Sequence, residues 1–227
     1  MKLGILGTGR VGQALGQRWL AAGHEVTFGT RQDLSHKEEQ LSELFGQSVK
    51  TLSHDHCIAH AEALVLAMPW QAAQELTPKL PQENCPILID CLNPLSPDLS
   101  GLVVPAGSST AEILQDRVPH ASVVKAFNCA SSGTLADPSY PEAKPTMLFC
   151  GNHEDANTTV QSLIEEVGFE AVDVGDLSMA SHLESLALLT IKMAIKHRWG
   201  ANCALKILTR TSETVSYTHL RAHETYD

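Results

Sequence analysis

The alternation of apolar and amphipathic segments constrains the fold of this chain more than any other feature. Over the first 175 of its 227 residues, short apolar runs alternate with stretches of helical periodicity. A strand–helix–strand order with strands that are apolar throughout is typical of a parallel sheet covered by helices on both faces. The predicted strands are 2–6, 25–28, 63–68, 86–91, 122–127, 146–150 and 170–174.

Helices are predicted between these strands, and one longer helix follows them. The predicted helices are 10–22, 36–45, 71–80, 155–167 and 178–199. The last is apolar around much of its girth, so it is buried or pairs with a second subunit. Proline, glycine and serine make 93–107 and 132–144 irregular in this prediction. The expected organisation is one sheet domain over 1–175 and a small C-terminal helical segment over 176–211.

Composition excludes several classes of partner. The formal net charge is -10 and no run of lysine or arginine occurs, which disfavours nucleic acid. No apolar run approaches the length of a membrane span, and the first residues lack the pattern of a signal peptide. Six cysteines without a C-x-x-C pair indicate reduced thiols. The expectation is a cytoplasmic protein that acts on small molecules.

The tail 212–227 differs from the rest of the sequence. It is polar, without apolar periodicity, and it resembles a translated sequencing-adapter artefact. We therefore interpret it as a non-native segment, with a natural disordered tail as the alternative, and exclude it from the functional argument.

The strongest chemical signal is a glycine-rich loop between the first strand and the first helix. Gly7-Thr8-Gly9-Arg10-Val11-Gly12 is G-x-G-x-x-G in a strand–turn–helix context. Gly7 makes the tight turn, Gly9 admits a pyrophosphate, and Gly12 lets helix and strand pack closely. The amides of Gly9, Arg10 and Val11 are predicted to face the pyrophosphate. A glycine-rich turn without a ligand is the alternative.

The end of the second strand indicates which coenzyme binds. NAD enzymes place Asp or Glu there to bind the ribose hydroxyl, whereas this chain has Thr30 followed by Arg31. A hydroxyl and a guanidinium suit the 2′-phosphate of NADP(H). Asp33 is a competing acid, and Arg31 as a plain surface charge is the alternative.

Further candidates follow other strands, at the edge where such sheets bind ligands. Met68, Pro69 and Trp70 end one strand, and Trp70 either covers the coenzyme or starts a helix. Asn93 is predicted to bind ribose or carboxamide, or to hold its turn. Asn128 is predicted to touch the nicotinamide or the second substrate.

No side chain stands out as a general acid or base. His54, His56 and His60 look like a metal cluster, but no carboxylate or cysteine completes it, so a solvated short helix is the interpretation and no metal is expected. His182 lies on the long helix, where a surface position is favoured. Hydrolase and zinc-protease motifs are absent from the sequence.

With these residues in hand, the chain resembles the NADPH-dependent coenzyme F-420 (F420) reductases, which are related to the reductase domain of six-transmembrane metalloreductases. The likeness covers about residues 1 to 210. The matching segments are Leu6 to Gly12, Gly23 to Val26, Gly29-Thr30-Arg31, Pro69-Trp70, Ser109 to Glu112, Lys125 to Asn128, Gly175 to Ser178 and Leu183 to Leu186.

The resemblance implies a Rossmann-type doubly wound α/β fold and hydride transfer between NADP(H) and a flavin-like ring. Catalysis would then be positioning, without a catalytic side chain. The second ring, a deazaflavin (coenzyme F-420), FMN or FAD, is expected near Asn128 and Leu177. The family also implies a homodimer, with 1–175 as the NADP-binding domain and 176–211 as a substrate wall or dimer contact.

Two alternative functions stay open at this point. One is a non-catalytic NADP-binding redox sensor. The other is a small dehydrogenase of the β-hydroxy acid or pyrroline-carboxylate reductase type, although those enzymes carry a larger helical domain.

The archaeal reductases have a His-Thr pair where this chain has Asn128-Cys129, and a proline in place of Asp176. Both differences lie near the expected acceptor.

Overall fold

The described part of the chain forms one eight-stranded sheet flanked by helices. The structure is a computed structural model that describes residues 1–31, 33–81 and 83–210, so the tail predicted to be non-native lies outside the described residues. The strand order is β3-β2-β1-β4-β5-β6-β7-β8. The strands are β1 Lys2–Leu6, β2 Glu25–Gly29, β3 Lys50–Leu52, β4 Ala63–Leu66, β5 Ile87–Asp90, β6 Val123–Lys125, β7 Thr146–Gly151 and β8 Glu170–Asp173.

The helices connect these strands on both faces of the sheet. They are α1 Arg10–Ala21, α2 Leu34–Phe45, α3 His54–His60, α4 Trp70–Leu76, α5 Thr110–Arg117, α6 Ser132–Ala136, α7 Glu154–Val167 and α8 Ala180–His197. Short 3₁₀ turns, Thr77–Lys79 and Leu177–Met179, continue α4 and precede α8. The predicted α/β fold and its Rossmann-type order are confirmed.

Capping residues explain where the predicted boundaries differ from the observed ones. Helix α2 begins at Leu34, two residues before the predicted start, because the Asp33 side chain accepts a hydrogen bond from the His36 amide. Helix α5 was not predicted, although Ser109 and Glu112 form a reciprocal cap. The Ser109 hydroxyl donates to Glu112 Oε2 at 2.8 Å and accepts from the Glu112 amide at 3.1 Å. That Ser-x-x-Glu spacing is a recognisable start signal.

The sheet is not parallel throughout, which corrects the sequence prediction. Strands β1 to β6 are parallel neighbours, but β7 runs antiparallel to β6, and β8 follows β7 in parallel. Strand β6 ends and β7 begins at the same end of the sheet, so the connection 126–145 needs no crossover helix. The part of this connection that was predicted to be irregular, 132–144, contains the short helix α6.

Two apolar layers cover the sheet. Helices α1, α2, α6 and α7 pack on one face, where Trp19 meets Phe127 edge to face at 5.6 Å between ring centroids. The indole of Trp19 donates to the Leu163 carbonyl at 3.1 Å, which ties α1 to α7. Helices α3, α4, α5 and α8 pack on the other face. Both faces of the sheet are thus covered, and the ends of its strands remain available to form binding sites.

Helix α8 combines a buried amino half with an exposed carboxyl half. Leu183 and Ala187 are buried against the sheet, whereas Leu189, Met193 and Ile195 are exposed. Within the three described ranges, no helix is long and apolar enough to cross a membrane.

Candidate functional site

The glycine loop follows β1 at the point where the strand order reverses, between β1 and β4. Gly7 has a φ of +121°, and a Cβ there would lie 2.1 Å from the Ala67 carbonyl oxygen. A Cβ at Gly12 would lie 2.2 Å from the Gly7 carbonyl oxygen. Both positions therefore require glycine for the loop to form at all.

Gly9 requires no glycine for packing. A Cβ there would meet nothing within 4 Å, and its φ of -79° suits any residue. Gly9 is the N-cap of α1, yet its backbone is open on the side where a Cβ would stand. The first-turn amides of a helix lack intrahelical partners and carry about half a positive charge. The open cradle at Gly9 fits the pyrophosphate of a dinucleotide.

A first cavity of about 880 Å³ extends from this loop toward the end of β2. Its lining includes six of the predicted coenzyme-binding residues: Gly7, Thr8, Thr30, which is buried, Arg31, Met68 and Pro69. Ser53 and His54 at the start of α3, and Lys79 in the turn after α4, add polar groups to its wall. Sequence reasoning did not assign these three residues to the site.

The cations of the first cavity are already paired with acids. Arg31 Nη1 lies 3.3 Å from Glu75 Oε2, and Lys79 Nζ lies 3.1 Å from Asp55 Oδ1. The Arg31 and Glu75 side chains are 71% and 62% exposed, so solvent screens this pair and it holds Arg31 only weakly. Arg31 is thus free to turn toward an anion in the cavity.

A second cavity of about 720 Å³ lies on the other side of the same loop. Arg10, Val11, Asn93 and Asn128 line one wall. The opposite wall is mostly apolar and comes from the carboxyl half of α8 and the segment 199–205 that follows it.

Asn93 and Asn128 form a reciprocal amide pair at the ends of neighbouring strands. Asn93 Nδ2 donates to the Asn128 carbonyl at 2.8 Å, and Asn128 Nδ2 donates to Asn93 Oδ1 at 3.0 Å. Phe127, between β6 and Asn128, has a φ of +63° although it is buried and not a glycine. Left-handed backbone at such a residue costs about 1–3 kcal/mol and persists only where the surroundings enforce it.

Four predicted site residues are not among the described residues that line the two cavities: Gly9 and Gly12, which belong to the loop between the cavities, and Trp70 and Leu177. Trp70 is the first residue of α4 and is buried in the core, so of the two predicted roles the structure favours starting the helix. Leu177 is buried beside β7, and its amide donates to Asn152 Oδ1 at 2.9 Å. Leu177 thus belongs to the core, and its role beside the acceptor stays a prediction.

A fully buried charge cluster lies beneath the second cavity, and sequence reasoning missed it. Lys125 Nζ is 3.1 Å from Asp90 Oδ2 and 2.7 Å from Glu184 Oε1. It also donates to the Leu92 carbonyl at 2.6 Å, while Asp90 Oδ1 accepts from the Leu92 amide at 2.8 Å. The Thr110 hydroxyl lies 2.6 Å from each carboxylate. This cluster ties the ends of β5 and β6 to α5 and α8.

The cluster contains two carboxyl groups and one ammonium. Burial raises the pKa of Glu184 against the opposing effect of Lys125. Burial alone would lower the pKa of Lys125, but the Asp90 and Glu184 carboxylates outweigh it, and the net pKa is raised. Glu184 Oε2 is buried without a hydrogen-bond partner in the described structure.

The three histidines of α3 do not converge on one point. His56 contacts the Ser53 hydroxyl at 3.0 Å, His60 pairs with Glu25 at 2.7 Å, and His54 lines the first cavity. Across 1–31, 33–81 and 83–210, no group of three or more His, Cys, Asp or Glu side chains is arranged to hold a metal ion.

Comparison with known proteins supports the resemblance drawn from the motifs. Residues 2–94 match the family described as NADP oxidoreductase, coenzyme F420-dependent. The F420-dependent NADP reductase of Methanothermobacter marburgensis is 29% identical over 214 residues, which cover 87% of this chain and 94% of the relative. The predicted family likeness is confirmed.

Two further relatives extend this picture. Metalloreductase STEAP3 of Rattus norvegicus is 28% identical over 188 residues, 82% of this chain, but the match spans only 36% of that longer protein. The solved structure of a protein from Arthrobacter sp. FB24, provisionally assigned as an F420-dependent NADP reductase, matches with a TM-score of 0.81 and 27% identity. That match covers 92% of this chain and 100% of the other.

Proposed function

We propose that this chain, which is similar to the F420-dependent NADP reductases, is an NADP-dependent oxidoreductase that transfers hydride between NADP(H) and a flavin or deazaflavin acceptor. The observation that carries the proposal is the pair of cavities on either side of one phosphate-binding loop. One contains cations suited to a phosphate, and the other is walled by apolar side chains.

The coenzyme would span the loop from the first cavity to the second. The amides of Gly9, Arg10 and Val11 bind its pyrophosphate, while Thr8 and Gly12 shape the loop. Thr30 and Arg31 bind the 2′-phosphate in the first cavity, where the guanidinium supplies a charged fork. Met68 and Pro69 lie along the adenosine side of the same cavity.

The nicotinamide would enter the second cavity beside Asn93 and Asn128. The coenzyme supplies the hydride, so this chain needs only to hold two rings within reaction distance and keep water away. The side chains of Asn93 and Asn128 are held by each other, which fixes the cavity wall before any ligand binds. Such preorganisation lowers the entropic cost of bringing the rings together.

The acceptor would lie against the carboxyl half of α8. Ala187, Ile191 and Ala194 present an apolar wall opposite the amide pair. A flat conjugated ring can pack on such a surface, and small side chains leave room for it. Coenzyme F420, FMN and FAD all present such a ring, so the cavity is proposed for this chemical class.

Coenzyme selectivity tests the proposal most directly. The experiment measures binding of NADPH and NADH by calorimetry, followed by NADPH oxidation with F420, FMN, FAD and ferric chelates. Arg31→Ala should reduce the preference for NADPH about tenfold to a hundredfold, the worth of one charge-assisted hydrogen bond. Arg117→Ala, at the exposed end of α5, is the matched control.

The outcomes separate the remaining functions. Turnover with one of the acceptors supports the reductase. Binding without turnover across all of them would favour a redox-sensing module instead. An unchanged preference in Arg31→Ala would remove Arg31 from the site, and no heat with either coenzyme would refute the proposal.

We propose that the protein works as a cytoplasmic homodimer. Leu189, Ile195 and Trp199 are exposed at the carboxyl half of α8, beside the second cavity, and a second copy of this chain would cover them. Light scattering should give the mass of a dimer, and Leu189→Lys should shift it toward the monomer. The six free thiols fit a reducing compartment.

A further inference from the structure

The first cavity contains a histidine between two cations. His54 is half-buried at the start of α3, Arg31 follows β2, and Lys79 ends the 3₁₀ turn after α4. The acids that face this group are Asp55, paired with Lys79, and Glu75, paired with Arg31. Four charged side chains thus surround one titratable ring.

The free protein disfavours a charge on His54. Burial lowers the pKa of its imidazole, the positive charges of Arg31 and Lys79 lower it further, and Asp55 only partly opposes them. At neutral pH the ring is therefore neutral, and its nitrogens can both donate and accept hydrogen bonds.

A phosphate in the cavity would reverse this balance. A phosphomonoester carries a charge of about -1.5 to -2 at pH 7. It would neutralise Arg31 and Lys79 and would itself attract a proton to the ring, because an opposite charge close by favours the charged form.

We propose, building on the NADP(H)-binding function above, that His54 and Lys79 complete the 2′-phosphate site and that His54 takes up a proton when this phosphate binds. Arg31 supplies the permanent charge, Lys79 closes the opposite side, and His54 makes the selectivity for NADP(H) over NAD(H) depend on pH. The affinity for NADP(H) rises as pH falls through the pKa that His54 has in the complex. It levels off below the pKa that His54 has in the free protein.

Glu75 opposes the same phosphate. Its carboxylate lies 3.3 Å from the guanidinium in the free chain and would repel an anion placed beside Arg31. Glu75→Gln should therefore tighten NADP⁺ binding several-fold without affecting NAD⁺. Glu75 therefore lowers the affinity of this cavity for the 2′-phosphate.

The test is proton-linked calorimetry with NADP⁺ and NAD⁺ at pH 7, in two buffers that differ in ionisation enthalpy. The wild-type chain should take up a fraction of a proton with NADP⁺ and none with NAD⁺. The sign of this proton exchange distinguishes the two kinds of site. A site of permanent cations alone would release protons, because the bound phosphate, whose second pKa is about 6, would lose its remaining proton.

Variants locate the proton. His54→Gln should replace the uptake by the small release expected of permanent cations, and it should remove the rise of the NADP⁺ to NAD⁺ affinity ratio toward low pH between pH 8 and 6.5. Lys79→Gln should weaken NADP⁺ about tenfold, roughly one charge-assisted hydrogen bond. His60→Gln, on the same helix but paired with Glu25, is the control that should keep the uptake.

Each outcome decides one proposal. Normal NADP⁺ binding with undiminished proton uptake in His54→Gln would overturn this inference and leave the proposed function standing. A wild-type ratio that does not change with pH would overturn it as well. Absence of NADP⁺ binding by the wild-type chain would overturn the proposed function together with this inference.

Discussion

Replacing Lys125 by Met should lower the free energy of unfolding far more than the small change in side-chain volume would suggest. The ammonium is fully buried between the Asp90 and Glu184 carboxyl groups, and it also contacts the Leu92 carbonyl. Methionine fills nearly the same space but donates no hydrogen bond. Two carboxyl groups, both within 2.6 Å of the Thr110 hydroxyl, would then face each other without a counter-charge.

The expected cost follows from the burial of the cluster. Removing one partner of a buried ion pair costs about 3–5 kcal/mol, mainly because the remaining charge is left buried without its partner. Each 1.4 kcal/mol is tenfold in an equilibrium constant, so the unfolding constant should rise about a hundredfold to several-thousandfold. The matched control is Lys192→Met on the exposed side of α8, which should change stability by less than about 0.5 kcal/mol.

The effect should be reversible by removing the excess negative charge. In the double variant Lys125→Met/Glu184→Gln, the cluster carries one charge fewer and should recover part of the lost stability. Lowering the pH should also raise the free energy of unfolding, because the folded pKa of Glu184 lies above its ordinary value of 4.5. A raised pKa means that folding takes up a proton, so this contribution is complete below pH 4.5 and is lost as pH rises through the folded pKa.

Urea denaturation of the four proteins, the wild-type chain included, at pH 5, 7 and 9 measures these terms. Lys125 contributes no slope in this range, since its raised folded pKa keeps its stabilisation complete below pH 10.5, and this stabilisation is lost only as pH rises through the folded pKa. The reasoning would be refuted if Lys125→Met matched Lys192→Met at pH 7. It would equally fail if the double variant were no more stable than Lys125→Met.

Two further predictions concern the loop and the thiols. Gly9→Ala should keep the free energy of unfolding within about 0.5 kcal/mol yet lose NADPH binding in calorimetry, because its Cβ would occupy the open cradle. Gly7→Ala should instead lose the folded state, since its Cβ would overlap the Ala67 carbonyl, and equal stability of the two variants would contradict this distinction. Burial raises the pKa of Cys57 and Cys150 to about 12, so iodoacetamide at pH 8 should modify them only after denaturation. Peptide mass spectrometry measures this, and labelling of the native protein would show that the core opens.

The sequence predicted the order of elements because burial alone determines it. Strands such as β1 and β4 are covered on both faces, so they read as unbroken apolar runs. The glycine loop was also predictable, since a turn of positive φ at Gly7 and close packing at Gly12 each require the residue found.

The direction of β7 could not be predicted in the same way. Its residues are as apolar as those of a parallel strand, and the reversal depends on where the connection 126–145 re-enters the sheet. Local periodicity contains no information about that edge. The available signal was that the sequence predicts no helix between β6 and β7, because parallel neighbours usually need a crossover helix; in the described residues 126–145 the structure has only the short α6.

Sequence reasoning reaches the residues of the candidate site that backbone geometry places, and it misses those that distant segments bring together. Thr30 and Arg31 follow a strand and can be placed by counting from its end. Lys79 and His54 reach the same cavity from separate helical segments, so only the folded chain brings them to Arg31. Leu177 was named from the family resemblance alone, and its burial in the core is likewise visible only in the folded chain.

The unfavourable features of the fold collect at one edge of the sheet. Phe127 adopts a left-handed backbone, Glu184 Oε2 is buried without a described partner, and three ionisable side chains lie in the core at the ends of β5 and β6. Each costs stability by itself, and such costs persist where the surrounding structure enforces them. These costs have a structural result. Lys125 and Asp90 bind the carbonyl and the amide of Leu92, and the side chain of the next residue, Asn93, donates a hydrogen bond to the Asn128 carbonyl. The buried charges therefore act as positioning groups for the amide wall of the second cavity, which is why a core lysine far from solvent bears on a surface site.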